Sequence, residues 1–327
     1  MKKLFVSMLA VAALVSCSKE QTVSFDKGEE IGFNSFVENS TRATDPSYGG
    51  AQGQQALTSF NVWGTVNASN NTPVAIYAND TVTGSTVGSQ LDENGKETNV
   101  WNCTSKTQYW IKDAKYNFAA LVNAGTVTLG ADLLPATVEF TANGSKDLMY
   151  ARSAKDIEGK ESGKNGPVNF AFSHLLSKVY IGVTNSSSTA TGYSFLVKNI
   201  KITAPKTSGK YYIQDVVENS ETISAGTWTA TDGEYIFDDI TVTGATAECD
   251  AEQLLIPGDA VVSFAVDIIY TDGSTQNVIT TKSYSKPVTL AAGNAYKFNI
   301  LASIGDRIQF SVTEQPTWTD QDSVNLN

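Results

Sequence analysis

The sequence has little of what catalysis and metal binding need. There is one histidine, His174, and there are three cysteines in 327 residues. A single imidazole cannot build a histidine-rich metal centre, and no Cys-x-x-Cys pair or His-Glu-x-x-His segment occurs. No Gly-x-Ser-x-Gly elbow or phosphate-binding glycine loop is present either. A carboxylate pair for glycoside cleavage meets only in the fold, and no local pattern announces one. The acidic clusters Asp92-Glu93 and Asp238-Asp239 sit at turn signals and read as solvated loops. The sequence therefore points away from an enzyme and calls for no metal and no cofactor. Basic residues are scarce as well, 23 Lys and Arg against 34 Asp and Glu. That balance argues against nucleic acid or an anionic lipid surface as partner, since both are held by basic patches.

Long apolar runs are also missing, with one informative exception at the N-terminus. Lys2 and Lys3 precede an apolar run of twelve residues, Leu4 to Val15, which closes in Leu14-Val15-Ser16-Cys17. A membrane span needs about 20 residues, so this run reads as the core of a signal peptide over residues 1–16. Its last four residues match a bacterial lipobox, in which Cys17 is lipidated and begins the mature chain. Ser18-Lys19-Glu20 follows as a polar tether, and nothing downstream could anchor the chain except lipid. Without Lys2 and Lys3 the mature chain carries 21 basic against 34 acidic residues. Of the remaining cysteines, Cys103 and Cys249 could pair in an oxidising compartment, but 146 residues apart they read better as separate thiols.

What is abundant is alternation with a period of two. Tyr116, Phe118, Ala120 and Val122 alternate with other residues, as do Val168, Phe170 and Phe172. The same holds for Val262 to Tyr270, Tyr296 to Ile300 and Ile308 to Val312. Each run predicts a strand with one buried face. Asn94-Gly95, Asn143-Gly144, Asp232-Gly233 and Asp272-Gly273 supply turns between them. No helical period survives for three turns, so the predicted class is all-β, built from antiparallel sandwiches. The length allows two cores, and the Gly-, Lys- and Glu-rich segment from Ile157 to Pro167 is the expected joint. His174 continues the parity of Phe170 and Phe172, which predicts a structural imidazole bonded to a backbone group. Trp63, Trp101, Trp110 and Trp228 could stack on sugars, although core packing is the commoner use of tryptophan.

Several segments, taken in order, resemble one family. They are Thr41-Arg42-Ala43, Asp147-Leu148-Met149-Tyr150-Ala151 and the run Phe172 to Lys178. Leu254-Leu255-Ile256-Pro257-Gly258, the run Ala292 to Phe298, and Ile308-x-Phe310-x-Val312 with Trp318 complete the set. Together they resemble the fimbrillins, the type V pilins of Bacteroidia. The resemblance implies two tandem transthyretin-like β-sandwich domains, placed here at residues 43–165 and 166–327, behind a pro-segment at 17–42. It implies export as an outer-membrane lipoprotein, then cutting between Arg42 and Ala43 by an arginine-directed protease. Assembly into an extracellular fimbria by strand exchange would follow. Ile31, Phe33 and Val37 share one face and would form the placeholder strand. Trp318, Val324 and Leu326 share one parity beyond Pro316 and would mark the donor tail, although Asp320 and Asp322 fall on the same parity. The implied partners are other pilin subunits, the processing protease, and surface ligands of host or bacterial origin. The alternative is a surface-retained lipoprotein of the same fold, acting as a pilus anchor or a carbohydrate-binding adhesin.

Overall fold

The computed structural model describes residues 28–37, 59–67, 72–91, 97–103, 105–144, 146–187, 192–218, 221–248, 253–272, 274–304 and 309–315. Among them there is no helix, and the strands form three sheets. The all-β class predicted from the period of two is the observed one.

The first body is a ring. It uses β1 (Phe33–Val37), β2 (Ser59–Asn67), β3 (Pro73–Leu91), β4 (Glu97–Cys103) and β5 (Lys115–Val122). It also uses β8 (Met149–Arg152), β9 (Ile157–Glu158) and β10 (Val168–His174). The pairing order is β2-β3-β4-β1-β10-β8-β5, and β5 then pairs back onto β2, while β9 adds to β5. Within this ring, among the described residues, only the β1–β10 ladder is parallel. The inward side chains make one apolar cluster containing Phe33, Phe60, Tyr77, Trp101, Phe118, Phe170 and Phe172. Closing the sheet on itself removes the free edges that a short sheet would otherwise present.

The second body stacks two sheets. The larger has the order β18-β17-β12-β7-β6, from β6 (Val127–Leu129), β7 (Pro135–Thr141), β12 (Tyr193–Glu218), β17 (Gly258–Asp272) and β18 (Thr275–Leu290). β13 (Glu221–Ile236) and β14 (Ile240–Val242) also pair with β12. The smaller runs β15-β11-β19-β20, from β11 (Ser177–Asn185), β15 (Thr246–Glu248), β19 (Ala295–Ala302) and β20 (Gln309–Gln315), with β16 (Gln253–Leu255) on β11. Val179, Ile181 and Phe298 from the smaller sheet meet Phe195, Val197, Val262 and Val266 from the larger.

The second body's core takes in residues of the ring. Trp63, Ala119, Leu121 and Tyr150 point out of the ring and belong to the second body's cluster, while Val62, Phe118 and Ala120 point in. These strands are buried on both faces, which explains the unbroken apolar run Ala119-Ala120-Leu121-Val122. The strands do not divide at the joint expected between Ile157 and Pro167. β6 and β7 join the second body, and β8, β9 and β10 return to the first, so both sides of that segment share one sheet. Its Gly-, Lys- and Glu-rich composition marks an exposed loop, and composition carries no information about which sheet the flanking strands enter.

Candidate functional site

The strongest candidate is the seat of β1 in the ring. β1 alternates like any half-buried strand, and it is bound very differently on its two sides. Against β10 it makes a five-residue parallel ladder, from Phe33 opposite Val168 to Val37 opposite Phe172. Against β4 the register is one pair, Phe33 opposite Trp101. The residues just before it are fastened on both sides too. Ile31 N donates to Gln108 O at 2.9 Å, Trp110 N donates to Glu29 O at 2.9 Å, and Val168 N donates to Gly32 O at 2.8 Å.

Phe33 sits at the centre of the ring. Its side chain stacks on Phe170 with centroids 5.8 Å apart and meets Tyr77, Phe118 and Phe60 edge-on. Ile31 and Phe33 are buried. Ser35 is buried on the same face, and its Oγ has no hydrogen-bond partner. Trp101 Nε1, on β4 opposite Phe33, and Trp110 Nε1, whose backbone pairs with Glu29 ahead of β1, are likewise buried and unpartnered. Burial pushes the Tyr77 phenol well above its ordinary range.

Val37 closes the ladder opposite Phe172. Cys17, Arg42, Ala43, Trp318, Val324, Leu326 and Cys249 lie outside the described residues. Cys103 is a buried free thiol. Trp63, Trp101 and Trp110 are buried, and Trp228 lies against Tyr211 and donates Nε1–H to Leu175 O at 3.1 Å. None of these four tryptophans is an exposed platform for a sugar. Ser35 was legible from parity, being two residues beyond Phe33, but a serine gives no apolar signal. Glu29 was not legible: its carboxylate is held by the loop 160–165, whose conformation the sequence does not announce.

Residues 41–314 match the fimbrillin-like family, more than half of the chain. The chain belongs to the fimbrillin-like family. No curated protein matches the sequence. A fimbrial protein of Bacteroides vulgatus, 16% identical, covers 89% of this fimbrillin-like chain and 100% of its own, with a TM-score of 0.58. A Bacteroides ovatus protein proposed to act in cell adhesion, 18% identical, covers 90% and 99%, with a TM-score of 0.50. At such identities the likeness is one of fold.

Four of the six segments that carry the resemblance converge in space. Asp147 Oδ2, in the run Asp147 to Ala151, lies 2.6 Å from Nδ1 of His174, in the run Phe172 to Lys178. Leu175 N donates to Leu148 O at 2.9 Å, and Lys178 pairs with Leu254. Gly293 N donates to Leu176 O at 2.8 Å, and the Ser177 hydroxyl donates to Ala291 O at 2.7 Å. All four segments surround the point where the chain leaves β10 for β11 and passes from the ring into the second body. They encode the joint between the bodies. Gly144 belongs to it as well: at φ 82° it faces Gln253, whose Oε1 would lie 1.9 Å from an added Cβ.

Proposed function

We propose that this chain is a structural subunit of a cell-surface fimbria, assembled by exchange of β1 for a strand of a neighbouring copy. The observation that carries the reading is the seat of β1. It closes the ring and fills its aromatic core, yet it leaves three polar atoms around it unpaired, each costing about 1–3 kcal/mol. A strand seated in this way can be replaced by a better one. Its departure would leave open backbone edges on β4 and β10 and uncover Phe60, Phe118 and Phe170. An opening of that kind invites strand addition: the ladder supplies affinity and alternate side chains supply specificity.

Membership of the fimbrillin-like family supports the fimbrial role and association with other pilin subunits. In this reading Cys17 carries lipid and delivers the precursor to the outer membrane. An arginine-directed protease then cuts between Arg42 and Ala43, which frees residues 17–42 with the placeholder Ile31, Phe33 and Val37. Trp318, Val324 and Leu326 belong to the strand that takes its place. The test is size-exclusion chromatography and electron microscopy of the precursor before and after an arginine-directed protease. The intact precursor and Arg42→Ala should stay monomeric and keep the pro-segment, while the cut chain polymerises slowly. Filaments from Arg42→Ala at the rate of the cut chain would sink the reading.

A further inference from the structure

The loop between β9 and β10 grips a carboxylate. Glu29 Oε2 accepts from Gly163 N at 3.0 Å, from Asn165 N at 2.9 Å and from Asn165 Nδ2 at 2.9 Å. The loop is shaped for this by its own bonds. Lys160 N donates to Asn165 Oδ1 at 2.7 Å, Lys164 N donates to Glu161 O at 3.0 Å, and Gly163 takes a φ of 78° that favours glycine. The nearby ammonium groups of Lys112 and Lys164 are paired with Glu161, so the carboxylate is read by two amide N–H groups and one side-chain amide. This contact lies two residues before Ile31 and four before Phe33, and it fixes how far along the groove the strand sits.

The same spacing recurs at the other end of the chain. Residues 25–34 read Phe-Asp-Lys-Gly-Glu-Glu-Ile-Gly-Phe-Asn, and residues 318–327 read Trp-Thr-Asp-Gln-Asp-Ser-Val-Asn-Leu-Asn. Aligned end to end, Trp318 falls on Phe25, Asp322 on Glu29, Val324 on Ile31, Leu326 on Phe33 and Asn327 on Asn34. Asn34 Nδ2 donates to Asn169 Oδ1 at 3.3 Å, which the second asparagine can repeat. Moving the segment two residues along would put Asp320 in the loop and Asp322 in the seat of Ile31, which is only 3% exposed. An unpaired carboxylate there is strongly disfavoured. A shift of one residue would turn the polar face inward.

We infer that the loop 160–165 is a carboxylate receptor that sets strand register in the groove, and that Asp322 of a neighbouring copy replaces Glu29 in it. The inference rests on the strand exchange proposed above, and it also accounts for Asp322, one of two acidic residues on a parity whose ends are apolar.

The test uses the chain cut after Arg42 and fluorescent peptides of residues 318–327, with binding read by anisotropy during exchange against the bound pro-segment. Asp322→Asn should weaken binding about tenfold, because a charge-assisted set of hydrogen bonds becomes a neutral one, while Asp320→Asn changes nothing. Asp322→Glu should match or exceed the wild-type peptide. An acceptor carrying Asn165→Ala should discriminate less between the wild-type and Asp322→Asn peptides. Equal binding of wild type and Asp322→Asn overturns the receptor and leaves strand exchange standing. Sensitivity to Asp320→Asn instead, or an Asp322→Glu peptide as weak as Asp322→Asn, also overturns it. If the 318–327 peptide fails to bind where a 25–34 peptide rebinds, strand exchange by this segment falls, and the inference with it.

Discussion

Phe33 is the residue on which the first body turns. Its ring touches four other aromatics from three strands besides β10, so truncation leaves a cavity that its neighbours can only partly fill. Phe33→Ala should destabilise the uncut chain by about 3–5 kcal/mol, measured from denaturant midpoints. In the cut chain it should speed release of β1, because the lost packing belongs to the departing strand. His174 shows where residue-level reading stops. Its inward parity was legible, and its side chain is 8% exposed. The Asp147 carboxylate opposite it was not, because the β8–β10 register that places Met149 against His174 brings the two together. His174→Gln should therefore cost on the order of 1–3 kcal/mol by thermal melting, since it weakens a contact to a partly buried carboxylate, without impairing assembly of the folded protein.

Elements were easier to read than their partners. The alternation at Tyr116–Val122, Val168–Phe172 and Val262–Tyr270 lies in β5, β10 and β17. The parallel pairing of β1 with β10, and the placement of β7 beside β12, depend on contacts far apart in sequence and leave no local trace. Nor does periodicity reveal the tie across β12, β17 and β18, where Lys198 Nζ lies 2.5 Å from Asp267 Oδ2 and the Thr281 hydroxyl donates to Oδ1 at 2.6 Å. Burial alone would raise the Asp267 carboxyl, but the hydrogen bonds from Lys198 and Thr281 outweigh it and hold the carboxyl below its ordinary value. A carboxyl depressed in the folded state stabilises the fold above its unfolded pKa, and that contribution is lost as pH falls through the folded value. The stability gap between wild type and Asp267→Asn should be full at neutral pH and should shrink below about pH 4, followed by chemical denaturation at each pH. A gap that stays constant down to pH 2 would show that Asp267 does not titrate in this way.

At the scale of the molecule, the chain crosses between the bodies at β5–β6, β7–β8 and β10–β11, and a shared core lies between them. Arg152 on β8 adds a polar tie, bonding Asp215 on β12 and reaching Asp132 Oδ2 at 2.9 Å. Exchange of β1 touches none of these contacts, so opening the ring should leave the joint intact and the subunit stiff. Donating and accepting a strand then become separable properties of one subunit. A chain lacking residues 317–327 should be cut normally and open its groove, yet have nothing to place in the next groove. Arg42→Ala keeps its own groove filled and should accept no strand. When each is mixed with cut wild-type chains, the truncated form should accept a strand and cap one end of a filament, while Arg42→Ala should donate its tail and cap the other end. Each should shorten filaments as its proportion rises, and the two variants mixed with each other alone should stop at dimers. Electron microscopy of filament lengths at a series of ratios, with chromatography of the unpolymerised fraction, measures both effects. If the truncated chain polymerises alone as well as wild type, the donated strand comes from elsewhere in the sequence. If Arg42→Ala polymerises alone, the groove is open without cleavage, and β1 is not what closes it.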